Sequence, residues 1–81
     1  MEKIVKFNVT AHAYRRIAER GLSVDALKDV IKYHQLKQDQ YKGEHGGIVS
    51  RFTKIVNSRK LTAVAEVRKG ECWIVSGFCE D

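Results

Sequence analysis

The stretch TAHAYRRIAERGLS, Thr10 to Ser23, decides how the rest of the chain is read. Threonine is a helix-capping residue, because its hydroxyl oxygen accepts from an amide left unpaired in the first turn. Glycine supplies the left-handed backbone that closes a helix. Thr10 and Gly21 therefore predict a helix from Ala11 to Arg20. Ser23 caps a second helix running to about Tyr33, with Leu22 set to pack on Leu27 as a hydrophobic staple. Two helices joined so tightly form a hairpin.

At about 100° per residue, Ala11, Ala13, Tyr14, Ile17 and Ala18 gather on one half of the first helix. His12, Arg15, Arg16, Glu19 and Arg20 take the other half. His12, Arg16 and Arg20 recur at every fourth position, a staircase along one edge of the polar face whose side chains reach a common groove. Stacked arginines repel unless a carboxylate or an anion intervenes, and Glu19 offers relief to Arg15 and Arg16. Two readings follow. One is a solvated, salt-bridged surface with packed arginine stems; the other is a phosphate site, for which the arginine fork and a neighbouring histidine are well suited. On the second helix Val24, Leu27, Val30, Ile31 and His34 share one side, and Asp25, Lys28, Asp29 and Lys32 the other. His34 at its end reads as a partly buried histidine held by terminal carbonyls.

Outside the hairpin the period changes to that of strands. KIVKFNV, from Lys3, is a first strand ending at Asn8 or Val9. QLKQDQYK is a polar edge strand, GEHGG a glycine-rich turn, IVSRFTKIV a strand, NSRK a turn, LTAVAEVR a strand, KG a two-residue turn and ECWIVSGF the last strand. Such short connections imply an antiparallel meander. The expected fold is α+β in the order β-α-α-β-β-β-β: a first strand, a helical hairpin, then a four-stranded antiparallel sheet.

The 81 residues make one small domain, 1–81, with little room for a deep cavity. No apolar run approaches the roughly 18 residues of a membrane span, and MEKIVKF lacks a signal-peptide core, so a cytoplasmic protein without a membrane partner is expected. Cys72 and Cys79 fit no zinc spacing and read as reduced, partly buried thiols. A net charge of +5 favours an anionic partner. From His45 to Ala65 the chain holds Arg51, Lys54, Arg59 and Lys60 and no carboxylate, so one face or edge is expected to be more positive than the net charge suggests. No carboxylates cluster at metal-ligand spacing, and GEHGG lacks the lysine and the helix of a phosphate loop; neither metal nor cofactor is implied.

HAYRRIAERGLS resembles the signature H-A-x-x-R-I/M-x-x-R-G-I/L-S of a family of small bacterial and phage domains of unknown function, which is similar to the RelE-like and BrnT-like ribonuclease toxins. His12, Ala13, Arg16, Ile17, Arg20, Gly21, Leu22 and Ser23 carry the match. Ile74, Val75, Ser76 and Phe78 fit the family's last strand. The resemblance implies a RelE/barnase-like fold and a superfamily that includes metal-independent ribonucleases. The chain departs from RelE-like toxins in lacking dense lysines and a basic, aromatic C-terminal tail.

Staircase, acid-free stretch and resemblance together point to RNA binding with endonucleolytic cleavage by 2′-hydroxyl attack on the adjacent phosphate. His12 is the expected acid/base, Arg16, Arg20 and Arg51 the phosphate-stabilising cations, and Ser76 a positioning hydrogen bond. Arg15, Tyr41, Lys54, Arg59 and Lys60 are the expected nucleic-acid contacts. Arg51, Ser76 and Tyr41 have plainer readings, as cover for the sheet, partner of a buried backbone group and edge packing, and Trp73 reads as core or interface rather than a base-stacking platform. The rival function is a non-catalytic phage or mobile-element protein that binds a macromolecule through its basic surface. A cognate antitoxin or another protein would add a strand or helix to the QLKQDQYK edge.

Overall fold

The computed structural model describes residues 4–80. Lys3, at the head of the expected first strand, lies outside the described residues, as does Asp81. The order is β1 (Lys6–Val9), α1 (Ala11–Glu19), α2 (Val24–Lys32), β2 (Leu36–Lys42), β3 (Ile48–Val56), β4 (Arg59–Arg68) and β5 (Glu71–Glu80).

Both caps form. The Thr10 and Ser23 hydroxyls each accept from the amide three residues on, at 3.1 Å. Gly21 at φ 72° closes α1, with its amide on Ala18 and that of Leu22 on Ile17, so two of the last carbonyls of the helix are satisfied. The hairpin turns are equally local. Asn57 and Ser58, and then Lys69 and Gly70, adopt positive φ, the geometry of two-residue turns whose twist matches that of the strands. The first of these is tighter than expected: Arg59 and Lys60, assigned to a turn in NSRK, already belong to β4.

β2 to β5 form the expected antiparallel meander, but the sheet as a whole is mixed. Its spatial order is β1-β5-β4-β3-β2, with β1 parallel to β5. A first strand followed by two helices has no short connection to any neighbour. The hairpin carries the chain over one face of the sheet to its far edge, and the meander then returns it strand by strand to β1.

The core lies between that hairpin and the sheet. Ile17, Leu27, Val30 and Ile31 meet Phe52, Ala63, Ala65, Cys72 and Ile74. α2 lies over β4 and β3 and α1 over β5, and a methyl group on Gly77 would overlap the Leu27 side chain, which reaches across to β5. α1 buries only Ala13 and Ile17. Tyr14 and Ala18, expected on its apolar half, are exposed, because a two-turn helix resting on β5 presents only the i, i+4 line to the sheet. His34 matches its plain reading. Its Nδ1 lies 2.8 Å from the Ile31 carbonyl oxygen, and its ring meets Phe52 edge-on.

Candidate nucleic-acid interface

Strand alternation sends every second side chain to the face that no helix covers. Register arranges these residues in rows. Asn8, Trp73, Glu66, Val49 and Tyr41 form one row; Ser76, Val64, Arg51 and Gln38 the next; Phe78, Thr62, Thr53 and Leu36 the third. Bulges at Val75 in β5 and Gln40 in β2 keep the rows aligned by absorbing one residue each.

Glu66 is 2% exposed on this face. Its carboxylate accepts from the amides of His45 at 3.0 Å and Gly47 at 2.7 Å, which fastens the β2–β3 turn to β4. A side chain on Gly43 would occupy the space of that carboxylate. The Arg68 guanidinium donates to the His45 carbonyl at 3.3 Å. Thus held, the His45 ring lies flat on Trp73, with centroids 4.3 Å apart and planes 9° from parallel. His12, in the first turn of α1, lines the same cleft of about 490 Å³ together with Asn8, Glu44, His45, Glu66 and Trp73.

One row along, Arg20 reaches from the end of α1 to β5. Its Nη1 donates to Ser76 Oγ at 3.1 Å and to the Gly77 carbonyl at 2.8 Å, beyond the last β1–β5 pair, Val9 with Ile74. Arg51 crosses β4 to lie 5.2 Å from the centroid of Phe78. Arg15 and Arg16 are exposed, and the relief expected from Glu19 is absent: it makes no ion pair with either among the described residues.

Of the residues expected to act, Arg20 and Ser76 are in contact, Arg51 shares the Ser76 row, and His12 lines the cleft of the adjoining row. Tyr41 stands exposed at the far end of the first row, three strands from Trp73. The other cations are elsewhere. Lys54 points to the helix face, where it binds Asp29 at 2.9 Å and covers the Tyr33 ring. Lys60 is near Glu80 at 3.9 Å, and Arg59 begins β4 at the end of the sheet remote from the cleft. The acid-free stretch therefore does not make one positive face, because alternation deals its cations to both sides.

His45, Glu66 and Trp73 belong to the site without any spacing or motif in the sequence that places them there. A glutamate inside the apolar run LTAVAEVR is the one sequence signal that singles any of them out. Among the described residues no three His, Cys, Asp or Glu side chains stand close enough together to hold a metal ion, and no helix is long and apolar enough to cross a membrane.

Comparison with known protein families, with curated proteins and with solved structures gives no significant match.

Proposed function

We propose that the protein binds RNA on the open face of its sheet and cleaves it without a metal. The observation that carries this reading is the convergence of His12 on a cleft with an aromatic wall, beside a row that bears Arg20, Ser76 and Arg51. In this mechanism His12 takes the proton of a ribose 2′-hydroxyl. The 2′-oxygen bonds to the adjacent phosphorus and the bond to the 5′-oxygen breaks, leaving a 2′,3′-cyclic phosphate and a 5′-hydroxyl that takes its proton from water.

Arg20 spends Nη1 on Ser76 and Gly77, which leaves Nε and Nη2 to donate to a phosphate, with Arg51 and the exposed Arg16 adding charge as the phosphorane forms. Ser76 acts by orienting Arg20. Arg15 and Tyr41 extend the contact along the strand of RNA, whereas Lys54, Arg59 and Lys60 have at most a long-range electrostatic part.

The test is incubation of the protein with total RNA and a labelled oligonucleotide in EDTA, beside His12→Ala. Cyclic phosphate ends that fall by about 100-fold or more in the variant, with RNA affinity kept, support the reading. Equal cleavage by the variant, or none by the folded wild type, overturns it.

A second reading rests on β2. All seven of its residues are exposed, Leu36 and Tyr41 among them, and among the described residues no strand pairs with its outer edge. A protein partner, an antitoxin included, would add a strand there. In that case a proline at Gln38 abolishes complex formation and His12→Ala leaves it unchanged.

A further inference from the structure

We propose that the Trp73–His45 stack is a nucleobase platform, on which an RNA base lies as a third ring against the exposed face of His45. The proposal rests on the reading of the open face as an RNA interface, but not on cleavage. Trp73 has no helix above it, and what covers it is a second flat ring from an exposed turn. That turn is secured through backbone atoms: the His45 amide on Glu66, its carbonyl under Arg68, and the Gly47 amide on Glu66. Among the described residues its imidazole makes no hydrogen bond, and the stack on Trp73 orients the ring. Such a ring presents its outer face parallel to Trp73, pre-ordered for another π-system.

The polar groups around it suit a base better than an apolar side chain. Glu44 and the Asn8 carbonyl oxygen offer acceptors to amino and ring N–H groups, since Asn8 already spends its amide on Glu71 at 3.4 Å. Arg51 and the Arg20–Ser76 pair lie one row away, about 7 Å along the strands, where the backbone of a stacked nucleotide passes. Proteins that bind single-stranded RNA combine aromatic rings that stack the bases with cationic side chains that follow the backbone.

Trp73 is the only tryptophan, so its fluorescence reports the platform directly. The probe is a short 2′-O-methyl oligoadenylate, which has no free 2′-hydroxyl and is not cut; an abasic strand of the same length carries the same phosphates without bases. The oligoadenylate is expected to quench Trp73 and the abasic strand to bind more weakly without quenching. His45→Phe keeps affinity and quenching, while His45→Ala weakens binding by about five-fold or more. Equal binding by the abasic strand, or an unchanged affinity in His45→Ala, overturns the platform. Cleavage of unmodified RNA that survives such a result leaves the ribonuclease reading intact, whereas quenching without cleavage keeps the platform and removes the nuclease.

Discussion

Under the helices, the sheet buries Ala63, Ala65, Cys72 and Ile74 against Ile17, Leu27 and Ile31; on the other face its buried residues are Val49, Thr53, Thr62 and Glu66. The covered face is mostly apolar, with small side chains where Leu27 of α2 meets the sheet, and Ser50, buried there, donates to Asp39 at 2.7 Å. The open face hides polar groups that satisfy one another. Thr53 and Thr62 face each other at 3.4 Å, Glu66 takes two amides, and no buried side-chain nitrogen or oxygen among the described residues is left unpaired. Around these groups stand Trp73, Phe78, Tyr41, Arg51 and Arg20. One face holds the molecule together, and the other uses that rigidity to fix aromatic and cationic groups without a covering layer.

The contrast is broken most severely at Leu27, which is fully buried against β5. Leu27→Ala is expected to cost about 2–5 kcal/mol, measured by urea denaturation, with the Trp73 fluorescence of the remaining folded fraction unaltered. On the open face Glu66→Ala strands two amides and is expected to cost about 1–3 kcal/mol. Its distinguishing sign is local: the near-ultraviolet circular dichroism of Trp73 changes as the His45 turn loosens, and an unchanged signal would mean that the stack stands without Glu66.

Acidity separates the faces in a subtler way. Burial on the helix side pushes the Cys72 thiol from 9.0 up to about 12. The native chain thus keeps a proton that the unfolded chain loses. Stability from this group is complete below about pH 9 and is lost as pH rises through about 12. Denaturation midpoints should fall over that interval, and Cys72→Ala should flatten the fall. The smallest effect is expected at Lys54. Its pair with Asp29 is partly exposed, and Lys54→Met should change stability by about 1 kcal/mol or less and leave RNA affinity nearly unchanged, unlike Arg51→Met, which should lower it and reduce its dependence on salt.

Much of the hairpin was legible because its signals are local. Thr10, Gly21, Leu22 and Ser23 act on residues within one turn of themselves, and the Lys69–Gly70 turn needs only its own backbone angles. The staircase of His12, Arg16 and Arg20 was legible for the same reason, as helical spacing is a property of the segment. Its destination was not. Arg20 ends on Ser76, 56 residues away, and His12 faces a wall assembled from β1, β5, β4 and the β2–β3 turn. The even spread of cations through β3 and β4 misled in the opposite sense, since strand alternation sent Lys54 to the helices and Arg51 to the open face.

By itself the amino-acid order determined where the helices begin and end and that four strands follow in a meander. Only the tertiary structure decided that β1 returns beside β5, that Glu66 is buried by the turn it holds, and that His45 rests on Trp73. Those choices depend on pairings between segments far apart in sequence. Their free energy comes from register and burial that exist only once the strands are laid side by side.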